Sequence, residues 1–240
     1  VPRVKDVETM VKLLESMGSK IKKFKNGNSL LIQNNKKIKI EANYDLMSTM
    51  RAGIIVLGPL LARFGEAKVS SPGGCSIGVR PINIHLEALK KMGAQYKIKD
   101  GYVYAKAKNG LNGAKIKFPK ISVGATENLM IAACLAKGQT TLSNCAIEPE
   151  IKDLSNFLIS IGAKIKWTGK RQIKIKGVKS FKESNYEIMF DRIEAGTMLI
   201  AAATNQNNFK ITGIDPEIIS TEINILKKIG AKIIQKKNEI

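Results

Sequence analysis

The stretch Met17-Gly18-Ser19-Lys20 recurs in altered form three more times along the chain. The later copies are Met92-Gly93-Ala94-Gln95, Ile161-Gly162-Ala163-Lys164 and Ile229-Gly230-Ala231-Lys232. Each closes an amphipathic segment (7–20, 84–95, 151–164 and 218–232), and the glycines are spaced 75, 69 and 68 residues apart. The recurrence of one motif at similar spacings indicates internal structural repeats. Because glycine suits the left-handed residue that ends a helix, each copy predicts a helix stop followed by a strand.

Helix starts are predicted from the residues in front of these segments. Asp6, Asn83 and Asp215 are candidate N-caps, with Pro216 at the first helical position. A second type of helix is rich in Ala and Gly and apolar nearly all round, which predicts burial on every side. These helices are expected over 46–64 after Asp45, over 127–136 after Thr126 and over 192–203 after Asp191.

Alternating lysine and isoleucine predicts strands with one buried and one solvated face. The clearest examples are Lys37-Ile38-Lys39-Ile40, Lys164-Ile165-Lys166 and Ile173-Lys174-Ile175-Lys176. Each unit therefore consists of a buried helix, a strand, an amphipathic helix and further strands. The fold class is α/β, built from repeated βαβαββ-type units with mixed sheets.

The net charge of +20 raises the possibility of a nucleic-acid-binding protein. Many of the lysines alternate with isoleucine, however, and aromatic residues for base stacking make up only 5% of the chain. We therefore expect a solvated lysine face and no nucleic-acid partner. The alternative, a basic nucleic-acid-binding repeat protein, predicts an affinity that falls steeply with salt.

Other classes are excluded by composition. No apolar run approaches the ~20 residues needed to span a bilayer, and no secretory pattern opens the chain. Three cysteines without a C-x-x-C spacing, and a single histidine, argue against a disulfide framework and a zinc site. We expect a cytoplasmic protein without a metal or organic cofactor, and the start at Val1 suggests truncation at the N-terminus.

The segment 71–81 reads Ser-Pro-Gly-Gly-Cys-Ser-Ile-Gly-Val-Arg-Pro and predicts a loop. No acidic residue lies between Glu66 and Glu87, so Cys75 is expected in an electropositive loop, where a thiol becomes reactive. An ordinary loop cysteine remains the alternative on local chemistry alone. Cys134 and Cys145 are interpreted as structural, and His85 as a helix-surface residue rather than a catalytic base.

Several motifs resemble the UDP-N-acetylglucosamine 1-carboxyvinyltransferases of the enolpyruvyl transferase family. They are Met50-Arg51-Ala52, the run from Leu57 to Gly65, Pro72-Gly73-Gly74-Cys75-Ser76-Ile77-Gly78-Val79-Arg80-Pro81, the run from Lys120 to Asn128, and Asp191-Arg192-Ile193-Glu194-Ala195-Gly196-Thr197. The resemblance extends along the whole chain. It implies two similar domains, each an inside-out α/β prism, with the active site between them. The first domain would cover 1–189, and 190–240 would begin a second, incomplete one.

The resemblance also implies the reaction. The family transfers the enolpyruvyl group of phosphoenolpyruvate to the 3′-hydroxyl of UDP-N-acetylglucosamine by addition and elimination, and releases phosphate. Cys75 would protonate the methylene carbon, and it would be the target of fosfomycin. The implied substrate-binding residues are Arg51, Arg80, Pro81, Ile82, Asn83, Ile84, Lys120, Ile121, Ser122 and Val123. Other expectations are a monomer and roles in peptidoglycan synthesis, cell shape and cell division.

The chain departs from the family pattern in two respects, and two alternative interpretations remain. Asn83 stands where the family commonly has aspartate, and the family's N-terminal Lys-Asn pair and most of its second domain are missing. We therefore expect the 240 residues alone to be inactive. The shikimate-pathway transferase shares the architecture but lacks such a cysteine loop, and a non-catalytic remnant is the other alternative.

Overall fold

The computed structural model describes residues 1–34, 37–73, 81–204 and 208–240. The chain divides into two compact units. One comprises Arg3–Glu187, and the other comprises Ile188–Ile240 together with Val1–Pro2. The division into domains 1–189 and 190–240 remains a prediction.

The first part of the larger unit contains α1 (Lys5–Ser16), β1 (Ser19–Phe24), β2 (Ser29–Asn34), β3 (Glu41–Ala42), α2 (Tyr44–Met47), a 3-10 helix (Arg51–Val56), α3 (Leu57–Phe64) and β4 (Glu66–Ser70). It continues with α4 (Asn83–Lys91), β5 (Gln95–Lys99), β6 (Tyr102–Lys106), β7 (Lys115–Lys117), α5 (Val123–Ala133), β8 (Gln139–Ser143), α6 (Pro149–Ser160), β9 (Lys164–Gly169) and β10 (Gln172–Lys176). A short 3-10 turn, Lys25–Gly27, joins β1 to β2.

Two four-stranded sheets have the same strand arrangement, as the repeats predict. Their orders are β3-β4-β6-β5 and β7-β8-β10-β9. In each, the short first strand is parallel to its neighbour and the other pairings are antiparallel. The hairpin β1-β2 is antiparallel as well. The prediction of mixed sheets in repeated α/β units is confirmed.

The four repeated glycines end helices as predicted. Gly18, Gly93, Gly162 and Gly230 all have φ between 93° and 109°, the left-handed region that glycine tolerates. The helices α1, α4 and α6 precede the first three. In the smaller unit, α8 (Ser220–Lys228) precedes the fourth. The strand predicted after each glycine forms after the first three as β1, β5 and β9, but the described residues 231–240 contain no strand, so this part of the prediction is wrong for the fourth copy.

The core of the larger unit is centred on α3 and α5. Leu57 and Leu61 of α3 and Leu129 and Met130 of α5 are fully buried, and α5 packs against α3, α4 and α6. Burying such a side chain contributes about 1.5–3 kcal/mol. Full enclosure was predicted for these helices from their all-round apolar sequence.

The predicted single helix over 46–64 is wrong, because the chain forms α2, the 3-10 helix and α3 instead. The hydroxyls of Ser48 and Thr49 donate to the main-chain oxygens of Asp45 and Leu46, a local pairing that competes with helix continuation. Pro59 has no N–H to donate to Ile55, and it lies in the first turn of α3, a position that suits proline better than the interior of a longer helix.

Three predicted helix starts are also wrong. The N-cap of α1 is Val4, that of α4 is Ile82, and Asp6 and Asn83 lie inside the first turn. Ser122, not Thr126, caps α5. Thr126 lies one turn further on, where its hydroxyl donates to the main-chain oxygen of Ser122 and accepts from the N–H of Ala146.

The segment Lys37-Ile38-Lys39-Ile40 is not a strand, contrary to its alternation. The N–H of Lys39 donates to the Met17 oxygen at the end of α1, and the Ile40 oxygen accepts from the N–H of Lys68. The ladder with β4 begins only at Glu41. The other two alternating segments form β9 and β10, as predicted.

The smaller unit contains α7 (Arg192–Ala203), a 3-10 helix (Pro216–Ile219) and α8. Asp191 caps α7 and Asp215 caps the 3-10 helix, as predicted. Burial of α7 on every side is wrong, since Ile193, Met198 and Ile200 are half-exposed or more. The helix packs against α8 and the 3-10 helix, which cover a single stripe that includes Ala195 and Leu199.

Candidate active site

Cys75 and Arg80 fall in 74–80, outside the described residues, but the chain just before them is anchored where it leaves β4. The N–H of Ser71 donates to the Gly101 oxygen at 2.8 Å, and that of Gly73 donates to the Met47 oxygen at 3.0 Å. A Cβ at Gly73 would overlap the main-chain oxygen of Ser48. Glycine is therefore required for this close approach of two backbones.

Arg51 is the first residue of the 3-10 helix and follows the turn on which Gly73 is anchored. It is half-buried. Its positive charge acts on His85 of α4, where it contributes to lowering the pKa of the imidazole. The predicted phosphoenolpyruvate-site arginine therefore lies near the start of α4, although the two are distant in sequence.

The predicted stretch that enters α4 is mostly accessible. Pro81 and Asn83 are exposed, Ile82 is the half-buried N-cap, and Ile84 is buried in the core. Asn83, as the first helical residue, stands at the positive end of the helix dipole. Ile84 is buried in the core and Ile82 packs against it, so Pro81 and Asn83 are the side chains available to a ligand.

The second predicted stretch enters α5. Lys120 and Ile121 are exposed, and Ser122 caps the helix by accepting from the N–H of Ala125 at 3.3 Å. Val123 is the first residue of the helix. An exposed lysine beside a helix N-terminus favours an anionic group.

A small pocket of about 80 Å³ is lined by part of the first stretch and by the residues that precede the second. Asn83, Ile84 and Glu87 of α4 form one wall, and 116–119, the residues leading to Lys120, form the other. A larger open cavity of about 720 Å³, lined by 64–66 and 106–110 among others, contains none of the predicted site residues. The smaller pocket is the one that the predicted site adjoins.

His85 was interpreted as a surface residue, and this is wrong. The side chain is 5% exposed, and its Nδ1 lies 3.0 Å from Nδ2 of Asn128. Burial, together with the charge of Arg51, lowers the pKa of His85 to about 4. Asn128 is itself fully buried and was missed as well, although it lies within the run of motif residues that begins at Lys120.

Glu127 is a second residue that sequence reasoning missed. It lies on α5 near Glu148 and Glu150 at the start of α6. Burial raises its pKa to about 7, and the two neighbouring carboxylates add to the effect. A carboxyl group that titrates near neutral pH is a candidate proton carrier, but buried structural carboxyls show the same shift.

Cys134 and Cys145 are both fully buried, in agreement with their interpretation as structural. Burial raises the pKa of each thiol to about 12. The Cys134 Sγ also lies 3.2 Å from the Met130 oxygen, to which it donates. Neither thiol resembles a nucleophile at neutral pH.

Within the described ranges, no three His, Cys, Asp or Glu side chains are grouped closely enough to hold a metal ion. The helices in that part of the chain are all too short or too polar to cross a bilayer.

Comparisons with known proteins identify relatives of one kind. The chain is 68% identical over 240 residues to a UDP-N-acetylglucosamine 1-carboxyvinyltransferase from Pelagibacter ubique and 49% identical over 240 residues to one from Geotalea daltonii. Both alignments cover the whole of this chain but only about 57% of the length of each relative. These names confirm the resemblance drawn from the motifs.

Solved structures agree at the level of the fold. The enolpyruvyl transferase NikO from Streptomyces tendae superposes with a TM-score of 0.85 at 19% identity, over 99% of this chain and 57% of that one. EPSP synthase from Acinetobacter baumannii gives a TM-score of 0.72 at 19% identity, over 99% and 55%. The predicted enolpyruvyl transferase-like fold class is confirmed.

A family match covers residues 1–240, with the description EPSP synthase (3-phosphoshikimate 1-carboxyvinyltransferase). Since the match spans the chain from end to end, and the fold and the relatives agree with it, the chain belongs to the EPSP synthase family.

Proposed function

We propose that this chain is part of an enzyme that transfers the enolpyruvyl group of phosphoenolpyruvate to the 3′-hydroxyl of UDP-N-acetylglucosamine. The observation that carries the proposal is the 68% identity, over the whole chain, to a relative named for this reaction. The reaction would be the first committed step of peptidoglycan precursor synthesis in the cytoplasm, with consequences for cell shape and division. No organic cofactor is required.

The proposed chemistry balances in two steps. The 3′-hydroxyl oxygen bonds to C2 of phosphoenolpyruvate and gives its proton to a base, while the methylene carbon C3 gains a proton from the Cys75 thiol. In the second step a base takes a proton from C3 and the C2–O bond to phosphate breaks, which restores the double bond and releases inorganic phosphate. One of the two protons taken up by base returns to the Cys75 thiolate, and the other leaves with the phosphate. Cys75 therefore serves as the general acid, and a thiol pKa near the working pH suits that role.

The arginines are assigned to phosphoenolpyruvate. Arg80 would hold its charged groups and Arg51 would organise the site, because a planar guanidinium can pair with carboxylate or phosphate in two parallel hydrogen bonds. The half-buried position of Arg51 and its nearness to His85 support a place for it beside the start of α4.

The sugar nucleotide is assigned to the two stretches that adjoin the small pocket. Pro81, Ile82, Asn83 and Ile84 would contact it from α4, and Lys120, Ile121, Ser122 and Val123 from α5. Two observations support this assignment. The residues 116–119, which lead to Lys120, line the same pocket as Asn83 and Ile84, and the side chains of Asn83 and Lys120 are exposed. The second domain would begin at 190–240, and the enzyme would act as a monomer.

The decisive experiment uses a complete protein. The chain would be completed with the flanking segments of the Pelagibacter ubique relative, and phosphate release from phosphoenolpyruvate would be measured with UDP-N-acetylglucosamine or 3-phosphoshikimate as acceptor. We expect release with the first acceptor only, loss of release in Cys75→Ala, and retention in the control Cys145→Ala. Release with 3-phosphoshikimate alone, or full activity in Cys75→Ala, would overturn the proposal.

A further inference from the structure

The side chain of Asn128 forms the centre of a buried hydrogen-bond network. Its Oδ1 accepts from the N–H of Gly58 at 2.8 Å, and its Nδ2 lies 3.1 Å from the Ile54 oxygen and 3.0 Å from Nδ1 of His85. The reversed amide would set its oxygen against the Ile54 oxygen and its NH₂ against the Gly58 N–H. The two main-chain partners therefore fix the orientation of the Asn128 side-chain amide.

This orientation determines the state of His85. The two amide hydrogens of Asn128 go to the Ile54 oxygen and to His85 Nδ1, so Nδ1 accepts and the ring proton resides on Nε2. A charged imidazolium would point an N–H from Nδ1 at the NH₂ of Asn128, two donors face to face. Burial and the Arg51 charge oppose protonation as well.

The network joins the segments that carry the proposed site. Ile54 belongs to the 3-10 helix that begins at Arg51, and His85 follows Ile84 directly on α4. Asn128 lies on α5, five residues after Val123. The ring also lies against the beginning of that helix, since a Cβ on Gly124 would be 3.5 Å from Cε1 and 3.8 Å from Nε2 of His85.

We propose that His85 is a positioning residue for the sugar-nucleotide site: as a neutral Nε2–H ring that accepts from Asn128, it holds the starts of α4 and α5 and the Arg51 helix in one fixed arrangement. This inference rests on the proposed function. Its residues are distinct from those assigned to contact the substrates. The ring acts through Asn128, which lies within hydrogen-bond distance, and through the space beside Gly124 that it occupies.

The imidazole can be observed directly. His85 is the only histidine of the chain, so the ¹⁵N spectrum of its ring needs no assignment by mutation. We expect an unprotonated Nδ1 and a protonated Nε2 at neutral pH. A protonated Nδ1 would overturn the inference.

Three substitutions separate the two edges of the ring. His85→Asn places an amide oxygen near the position of Nδ1, where it can accept from Asn128. His85→Gln places its polar group near the position of Nε2, and His85→Leu removes both. The matched control is Ser155→Ala on α6, which removes a buried hydroxyl that accepts a hydrogen bond from Trp167 Nε1 at 3.3 Å.

Affinity for UDP-N-acetylglucosamine would be measured by calorimetry on the 240-residue chain, at a temperature where each variant is folded. We expect about ten-fold weaker binding in His85→Leu and His85→Gln, the effect of one lost buried hydrogen bond. Binding should recover in His85→Asn and be unchanged in Ser155→Ala. Equal binding by wild type and His85→Leu would overturn the inference, and so would a loss in Ser155→Ala as large as that in His85→Leu.

If the wild-type chain shows no sugar-nucleotide binding, the proposed function fails at this site, and positioning is decided by hydrogen exchange. The Gly58 amide should then exchange faster in His85→Leu than in wild type or Ser155→Ala. Unchanged protection of Gly58 in His85→Leu would overturn the positioning role independently of any ligand.

Discussion

Gly58 and Asn128 are in direct contact across the interface of α3 and α5: the Gly58 N–H donates to Asn128 Oδ1 at 2.8 Å, and there is no room for a side chain between them. A Cβ on Gly58 would overlap Asn128 Oδ1 and lie 2.6 Å from its main-chain oxygen. The two buried helices approach closely because one of them has a glycine at this point.

Gly58→Ala should therefore destabilise the larger unit although alanine favours helices. We expect the free energy of unfolding to fall by about 1–3 kcal/mol, as in overpacked cores. Denaturant unfolding of the 240-residue chain measures this. The control is Gly169→Ala, where the added Cβ would be 3.7 Å from Gln172 Cβ, an ordinary contact. Equal stability of the two variants would contradict the prediction.

Glu127 should make stability depend on pH. Burial raises its pKa from 4.5 to about 7, so between these values the folded chain holds a proton that the unfolded chain releases. Stability then falls as pH rises from about 4.5 through 7, by at most ~3.5 kcal/mol at ~1.4 kcal/mol for each unit of pKa. Thermal unfolding at a series of pH values would show the decline.

The isosteric change Glu127→Gln tests this assignment. It removes the charge at every pH, so we expect it to abolish most of the decline and to exceed wild type in stability above pH 7. The exposed Glu183→Gln changes the net charge equally and should leave the decline in place. A decline of the same size in Glu127→Gln would assign the effect to other groups.

The repeats and the helix ends were predictable because they depend on local signals. Gly93 and Gly162 end helices through a backbone conformation that glycine alone adopts freely, and that requirement is visible at a single position. Asp191 caps α7 by the same local logic. The broken helix over 46–64 also had local signals, in Ser48, Thr49 and Pro59, but its apolar character outweighed them.

His85 and Asn128 could not be placed from sequence, because their environment is made by residues far along the chain. Asn128 is paired with Ile54 and Gly58, more than 60 residues away, and with His85, 43 residues away. Leu86 and Leu89 predict one buried stripe on α4, whereas α4 also packs against α5, and His85 lies on this second buried face. Hydrophobic periodicity shows that a helix has a buried side, but it does not show that a second face of the helix packs against another element.

The 240-residue chain should bind the sugar nucleotide without turning it over. It covers only about 57% of the length of the relatives it matches. Positioning of two substrates can supply ~7–11 kcal/mol of the barrier reduction. Most of this would be lost when only part of the substrate site is present. Calorimetry should detect weak UDP-N-acetylglucosamine binding that is tighter than UMP binding, and a phosphate assay should detect no turnover.

Asn83→Asp provides the comparison for that measurement, because it restores the aspartate common in the family at an exposed first-turn position. We expect tighter sugar-nucleotide binding and an increase in stability of about 0.3–1 kcal/mol from the helix dipole. Turnover by the unmodified chain at ordinary enzyme rates, or equal affinity for UMP and UDP-N-acetylglucosamine, would contradict this account of the site.

Cys75 should be the first of the three thiols to react with an alkylating reagent in the folded chain. The pKa of Cys134 and that of Cys145 are raised to about 12 by burial, so almost none of either is thiolate at pH 8. Cys75 belongs to a segment without acidic residues and near Lys68 and Arg80, and a cationic setting favours the thiolate. Mass mapping after brief alkylation, with and without denaturant, identifies the order of reaction.

Denaturant should expose Cys134 and Cys145, and in a completed chain fosfomycin should modify Cys75 alone. Modification of Cys134 or Cys145 before Cys75 in the folded chain would refute the electropositive-loop argument, whatever the family resemblance implies.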